Sequence, residues 1–189
     1  MSEVERRPGA RQDAQRNRQR IVDAATRALA TGGAAVKIET IAQEAGVGVG
    51  TLYRNFPSRQ ALVEEVYRSE LTRLSATAGE LLADHPPAEA LRAWMVRYQD
   101  FVATKHGMAD ALRAAIASGA ISSRQTREHL DRAVATFLDA GRADGSLRPD
   151  VLPADVVASM AGIMLAAADT AQAGRMLALL VDGLAARAS

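Results

Sequence analysis

The chain has 189 residues, of which 48% are hydrophobic and 24% charged, with a formal net charge of +1. This length is enough for one or two small domains with a buried core. The chain has no cysteine, which excludes disulfide bonds, zinc–thiolate sites and a cysteine nucleophile.

The N-terminal segment, MSEVERRPGARQDAQRNRQR, is polar and rich in arginine. It lacks the apolar stretch of a secretory signal, and no apolar run in the chain approaches the roughly 20 residues that span a bilayer. We therefore expect a cytoplasmic protein without a membrane partner. Residues 1–15 are predicted to form a disordered basic arm, because they are polar and offer no apolar face to bury.

Charge is distributed unevenly along the chain. Residues 1–60 contain 10 Lys and Arg against 6 Asp and Glu, whereas residues 61–189 contain 13 against 16. A basic N-terminal part on a mildly acidic remainder is typical of a protein that meets nucleic-acid phosphates at one end. A solubilising tail is the simpler alternative.

Nearly the whole chain has helical periodicity, with Ala and Leu dominant. The first helix is predicted from about Arg16 to Ala30, a short second helix ends at Gly46, and a third begins near Val49. The residues predicted to face inward on these helices are Ile21, Ala25, Leu29, Ile38, Ile41, Ala42, Ala45, Leu52 and Phe56. Two short helices joined by a glycine-containing turn form a helix-turn-helix, which lays its second helix in the major groove of DNA.

The remaining sequence predicts a helical bundle. Ser58 is placed to cap a long fourth helix, which runs to the break at Pro86. Further helices are predicted at about residues 88–104, 108–118, 122–142, 153–169 and 171–186. We therefore expect an all-α protein, with a helix-turn-helix domain over residues 16–60 and a helical effector-binding and dimerisation domain over residues 61–189.

The last two predicted helices are apolar around most of their circumference and carry recurring small residues. Such helices must be buried on more than one side, which predicts pairing with a second copy of the chain. The predicted dimer interface consists of Val157, Met160, Ile163, Met164, Leu177, Leu180 and Val181. An ordinary monomeric core is the alternative.

Aromatic residues and methionine cluster in the middle of the chain, which predicts a small-molecule pocket between bundle helices. The candidate lining residues are Trp94, Met95, Tyr98, Phe101, Met108, Leu112, Ile116 and Phe137. Trp94, Tyr98 and Phe101 also follow the i, i+4, i+7 spacing of a plain core stripe, which is the alternative interpretation.

Residues 38–59, IETIAQEAGVGVGTLYRNFPSR, are preceded by Ile21 and Ala24–Ala25 and followed by Leu62. On these residues, the segment 20–67 resembles the DNA-binding domain of TetR-like (tetracycline-repressor-like) bacterial regulators. The resemblance implies a homodimer that binds a double-stranded DNA operator, and no cofactor or metal is expected. Gly48 departs from the family pattern, which usually has a small hydroxyl residue there, and Arg59 stands where a Lys is usual.

The residues predicted to contact DNA are Lys37, Thr40, Gly48, Val49, Gly50, Thr51, Tyr53, Arg54 and Arg59. Thr51 is suited to a base contact, and Arg54 either to guanine O6 and N7 or to a phosphate clamp. The resemblance implies that the Tyr53 hydroxyl meets a phosphate, the alternative being a packed core aromatic. Lys37 and Thr40 open the second helix, whose positive end suits a phosphate.

Three arginines of the first helix are further candidates for DNA contact: Arg16, Arg18 and Arg20. They are placed to follow the DNA backbone or to enter the minor groove, although simple solvation is the alternative for each of them.

We expect a repressor that a small-molecule effector releases from a palindromic operator by shifting a population of conformations. An activator and a helix-turn-helix protein without small-molecule control are the alternatives. An enzyme would have to use the histidines and their nearby aspartates, His85, His106, His129, Asp84, Asp110 and Asp131. No nucleophile–base set, glycine-rich phosphate loop or zinc-binding HExxH accompanies them, so no catalysis is expected.

Overall fold

The computed structural model describes the backbone of residues 8–186 and the side chains of residues 12–33, 35–105 and 108–186. The helices are α1 (Pro8–Gly32), a 3₁₀ turn (Gly33–Ala35), α2 (Ile38–Glu44), α3 (Val49–Asn55), α4 (Arg59–Asp84), α5 (Pro87–Gly107), α6 (Ala109–Ala117), α7 (Ser123–Asp144), α8 (Pro153–Ala166) and α9 (Thr170–Leu184). Within residues 8–186 there is no strand, only one isolated bridge between Leu147 and Ala185. The all-α prediction is confirmed.

Helix α1 begins earlier than predicted. It starts at Pro8 rather than near Arg16, so the expectation of a disordered arm is wrong for residues 8–15, while residues 1–7 lie outside the described residues. Proline is pre-organised for a first helical position, and the Ala, Arg and Gln residues that follow are good helix formers. The described side chains of residues 12–20 are exposed or half-buried, and the first buried side chain after them is that of Ile21.

The described residues divide into two compact units. The first runs to Ser69 and includes Thr104–Ala120, and the second comprises Glu70–Ala103 and the chain from Ile121 onward. The border between the units therefore falls within α4, whose first three turns belong with the N-terminal helices. The boundary predicted at residue 60 separates DNA binding from effector binding and dimerisation. Packing within the chain does not test that division of functions, so the boundary stays a prediction.

The first unit has a core formed where α1, α2 and α3 pack together. Every residue predicted to face inward on these helices is buried, at 8% exposure or less. Leu62, Val63 and Val66 of α4 are buried as well. Ser58 caps α4 as predicted, since its hydroxyl oxygen accepts the Ala61 N–H at 3.1 Å.

The second unit contains the packed pairs α7–α8 and α8–α9. An ion pair between Arg92 and Asp182, at 2.5 Å, connects α5 to α9. The Ser146 N–H, just after the end of α7, donates to the Asp144 carboxylate at 2.9 Å, and the contact with Ser146 holds the pKa of that carboxyl below its ordinary value. No helix in the described part of the chain combines the length and apolar character needed to cross a bilayer.

Candidate nucleic-acid interface

The helix-turn-helix consists of α2, a tight turn and α3. Gly46 lies in the turn with φ +63°, a conformation that side-chain-bearing residues rarely adopt. The Val47 N–H donates to the Ala42 carbonyl at 3.0 Å, which closes the turn against the end of α2. Local sequence thus determines the change of direction between the two helices.

Helix α3 has one buried side and one exposed side. Leu52 is fully buried, whereas Gly48, Val49, Gly50 and the side chain of Arg54 are exposed. Tyr53 is 46% exposed, and its hydroxyl has no hydrogen-bond partner among the described side chains and backbone. A tyrosine packed in the core is buried and usually has a hydrogen-bond partner for its hydroxyl, and Tyr53 meets neither condition. The packed-core alternative for Tyr53 is therefore not supported.

Arg54 lies along the exposed side of α3. Its Nη2 donates to the Thr51 Oγ1 at 2.9 Å, one turn earlier on the helix. This contact brings the arginine and the threonine, both predicted to contact DNA, together at one place. The i, i+3 spacing could have predicted the pair from sequence.

The start of α3 shows the consequence of the unusual Gly48. Gly48 is the N-cap residue of α3, and no side chain accepts a hydrogen bond from the first turn. The hydroxyl residue usual in the family would supply that acceptor. The Thr51 N–H donates instead to the Gly48 backbone carbonyl at 2.9 Å.

Lys37 and Thr40 lie where the sequence places them, at the start of α2. Both are exposed, and neither side chain has a hydrogen-bond partner within the described residues. They are therefore accessible to DNA, and their predicted phosphate contacts stay predictions.

Arg59 and Arg18, by contrast, make contacts within the protein. Arg59 Nη1 donates to the Val36 carbonyl just before α2, and the side chain is half-buried. Arg18 Nη1 donates to the Asn55 carbonyl at 3.0 Å, and Nη2 pairs with Glu65 at 2.9 Å. These two arginines were candidates for DNA contact, but the structure shows that their guanidinium groups connect helices of the first unit.

The predicted aromatic pocket is packed with its own side chains. Trp94 lies 6.2 Å from Tyr98 and 5.8 Å from Phe137, between ring centroids, and its indole N–H donates to the Leu74 carbonyl at 2.9 Å. Trp94, Met95 and Phe137 are at most 1% exposed. These contacts favour the plain core interpretation for this cluster.

Three further predicted pocket residues, Met108, Leu112 and Ile116, belong to the first unit. Met108 and Leu112 are buried there, near and on α6, while Ile116 is 42% exposed. Their assignment to an effector pocket stays a prediction.

A cleft of about 270 Å³ lies between α4 and α5, within the second unit. Its lining residues are Glu70, Arg73, Leu74, Thr77, Arg97, Asp100 and Phe101. Glu70 is only 8% exposed and pairs with Arg73 at 2.6 Å. Arg97 is exposed and has no hydrogen-bond or ion-pair partner among the described side chains. Phe101 is the predicted pocket residue that lines this cleft.

Sequence reasoning missed the charged residues of the cleft. Glu70, Arg73 and Thr77 follow helical spacing on α4, as Arg97 and Asp100 do on α5. That spacing was visible, but surface helices commonly show it too. The burial of Glu70 was the informative feature, and it depends on packing between helices.

The last two helices differ from prediction in which residues are accessible. Val157, Met160, Leu177 and Val181 are buried within the chain itself, whereas Ile163, Met164 and Leu180 are half-buried. Leu165 of α8 and Leu179 of α9 are instead 89% and 70% exposed. The two most exposed large apolar residues on these helices, Leu165 and Leu179, are therefore ones that the sequence pattern did not single out, while Ile163, Met164 and Leu180 of the predicted interface remain partly accessible.

The histidines and aspartates form no grouped site in the described residues. His129 Nδ1 lies 2.8 Å from the Gln125 carbonyl on its own helix, and Asp110 pairs with Arg113. Among the described side chains, no cluster of three His, Asp or Glu residues is arranged to hold a metal ion. The side chain of His106 lies outside the described residues.

The fold and the exposed second helix of the helix-turn-helix define a class of transcriptional regulators. The profile of the tetR family of bacterial regulatory proteins matches residues 21–66, and that of the SbtR-like C-terminal domain of transcriptional regulators matches residues 86–186. The chain belongs to the TetR family.

Individual relatives agree with this assignment. A TetR transcriptional regulator from Streptomyces coelicolor is 46% identical, with a TM-score of 0.81 over 90% of this chain and 99% of that one. A TetR regulatory protein from Mycobacterium vanbaalenii is 31% identical, with a TM-score of 0.74 over 93% and 99% of the two chains. The transcriptional repressor KstR of Mycolicibacterium smegmatis is 28% identical over 141 residues, which are 73% of this chain and 69% of KstR.

Proposed function

We propose that this protein is a sequence-specific repressor that binds a palindromic operator as a homodimer and is released by a small-molecule effector. The exposed side of α3 is the observation that carries the proposal. It combines glycines, which allow close approach to a base edge, with Thr51, Tyr53 and Arg54. A bidentate arginine contact to guanine contributes about 1–3 kcal/mol of discrimination between bases.

Selection from a pool of random double-stranded oligonucleotides tests sequence specificity directly. A repressor of this kind enriches a palindrome whose half-sites are about one helical turn apart. In fluorescence anisotropy near physiological salt, the selected DNA should bind at least about a thousandfold more tightly than a scrambled duplex. Failure to enrich any sequence, with weak binding that salt abolishes, would contradict the proposal.

Variants of α3 show whether this helix reads the selected DNA. Tyr53→Ala combined with Arg54→Ala should remove the preference for the selected sequence. Arg127→Ala is the control, because Arg127 is exposed on α7, in the second unit. Equal losses in both variants would indicate a general charge effect and argue against α3 as the reading helix.

We infer that the second copy of the chain packs on the exposed faces of α8 and α9. Leu165 and Leu179 expose large apolar side chains, with the half-buried Ile163, Met164 and Leu180 on the same two helices. The buried members of the predicted interface would support this surface from within the subunit. A dimer reads two half-sites, which supplies the specificity that one helix-turn-helix lacks.

We propose the cleft between α4 and α5 as the effector site. It combines the unpaired Arg97 with the apolar side chains of Leu74 and Phe101, which suits a small ligand with an anionic group and an apolar body. An effector coupling of about 1–3 kcal/mol would weaken operator binding by 5- to 150-fold.

A screen for compounds that release the operator tests effector control. For an active compound, the ratio of operator affinities without and with the compound should fall toward one in Arg97→Ala but not in Arg127→Ala. An unchanged ratio in Arg97→Ala would place the site elsewhere. A broad screen without active compounds would favour a regulator that acts without small-molecule control.

A further inference from the structure

The guanidinium of Arg18 lies at a junction of three elements of the first unit. Its Nη1 donates to the Asn55 carbonyl at the end of α3, at 3.0 Å, and its Nη2 pairs with Glu65 of α4 at 2.9 Å. The guanidinium carbon also lies 4.2 Å from the ring centroid of Phe56. One side chain of α1 therefore contacts both the end of the predicted recognition helix and the first turns of α4.

The geometry of these contacts favours arginine over lysine. The Asn55 carbonyl belongs to the last turn of α3, where carbonyls lack partners within the helix and attract cations. A planar guanidinium can donate to this carbonyl, pair with a carboxylate and stack on an aromatic ring at the same time. A lysine ammonium keeps the charge but cannot make these three contacts together.

A second arginine holds the other end of the helix-turn-helix. Arg59, the first residue of α4, donates to the Val36 carbonyl just before α2. The helix-turn-helix is thus connected to the first turns of α4 at both of its ends, directly through Arg59 and through the Arg18–Glu65 pair.

We propose that Arg18 and Glu65 are positioning residues, which set the orientation of α3 relative to α4 and do not themselves contact DNA. This inference rests on the proposed function of α3 as a DNA-reading helix. The arginine-rich first helix suggested a DNA contact for Arg18, but in this proposal the charge of Arg18 pairs with Glu65 within the protein. The first turns of α4 then also help to hold α3 in its orientation.

Substitution of Glu65 separates this proposal from a phosphate contact by Arg18. If Arg18 bound phosphate, Glu65→Gln would remove a competing negative charge, and operator affinity would rise or stay the same. If the pair positions α3, Glu65→Gln should weaken operator binding by about tenfold, within the range of coupling in one ion-pair network. Only the positioning interpretation thus predicts a loss of operator affinity in Glu65→Gln.

The salt dependence of binding gives a second distinction. Loss of one phosphate contact lowers the slope of log affinity against log salt by about 0.9. Arg18→Gln should weaken operator binding without this change of slope, and Arg18→Lys should not restore the affinity. The double variant of Arg18→Gln and Glu65→Gln should lose little more than either single variant. Arg27→Gln, an exposed arginine on the same helix, is the charge-matched control.

Hydrogen exchange of the DNA-free protein tests positioning independently of binding. Amides in the last turn of α3 should exchange about tenfold faster in Arg18→Gln and Glu65→Gln than in wild type or Arg27→Gln, while circular dichroism confirms that all variants are folded. A lowered salt slope in Arg18→Gln, unchanged affinity in Glu65→Gln, or unchanged exchange in α3 would overturn the proposal. If wild type binds no DNA sequence specifically, the proposed function fails, and this inference fails with it.

Discussion

Single arginine residues of the first unit have different roles that their charge does not reveal. Arg54 lies on the exposed side of α3 and bonds to Thr51, whereas Arg18 and Arg59 donate to backbone carbonyls of the same unit. The acceptors are the backbone carbonyl groups of Asn55 and Val36, and every residue type has such a group. Residue type therefore does not show which arginine of the first unit bonds within the protein; the position of the neighbouring backbone does.

Gly46 is the residue at which the backbone conformation matters most for the helix-turn-helix. Its positive φ should make Gly46→Ala lower the free energy of unfolding by about 1–2 kcal/mol. The guanidinium of Arg20 also lies where the new methyl group would be, and it would have to move. Urea denaturation followed by circular dichroism, at one protein concentration, measures the change.

Gly79→Ala is the matched control for this prediction. Gly79 is exposed within α4, and nothing lies within 4 Å of an added Cβ. Alanine there should raise the free energy of unfolding by about 0.5–1 kcal/mol, because glycine is a poor helix former. Shifts of the same sign in both variants would show that the Gly46 backbone is not constrained as the structure indicates.

Among the helices, α5 has a sequence pattern that is compatible with two structural interpretations. Its aromatic spacing was compatible with a ligand pocket and with a core stripe, and the contacts of Trp94 with Leu74, Tyr98 and Phe137 favour the core. Most of the residues that line the cleft between α4 and α5 are instead polar or charged. The helix α5 thus has one face in the core, with Trp94, and one face at the cleft, with Arg97 and Asp100.

Trp94→Ala tests this assignment of α5. If Trp94 is packed core, the truncation should lower the free energy of unfolding by about 3–5 kcal/mol. Val96→Ala is the control on the same helix, because Val96 is 55% exposed, and it should change stability by at most about 0.5 kcal/mol. A loss below about 1 kcal/mol for Trp94→Ala, in urea denaturation, would instead indicate a side chain that lines an open pocket.

For the molecule as a whole, the proposed operator binding would depend on a second copy of the chain. The exposed leucines of α8 and α9 are the apolar area that a dimer would bury, and two linked reading helices gain about 10²- to 10⁴-fold in affinity from being joined. The DNA-reading surface of one chain would thus be only half of the functional site.

Leu165→Asp combined with Leu179→Asp tests the dimer. Two buried carboxylates would disrupt the interface, so the variant should be a monomer in size-exclusion chromatography with light scattering, and should bind the operator at least about a hundredfold more weakly. Val96→Asp, an exposed apolar position on α5, is the control and should leave the molecular mass unchanged. A dimeric double variant would place the interface elsewhere.

Local sequence by itself determined the helical class and the place of the helix-turn-helix. Glycines, prolines and the spacing of Ile38, Ile41, Leu52 and Phe56 act over a few residues, and all four side chains are buried as predicted. The exposure of Tyr53 also agrees with its predicted side of α3. The start of α1 was misplaced from Pro8 to Arg16, because helix-forming residues continue a helix where no apolar pattern marks it.

The tertiary structure alone decided which polar and aromatic residues have partners. Arg18 meets residues 37 and 47 positions away, and Trp94 meets a carbonyl 20 positions away. Residue type and periodicity report what a side chain can do and which way it faces on its own helix. They do not report what the neighbouring helix presents to it, and that partner decides between a DNA contact, a core residue and a support for α3.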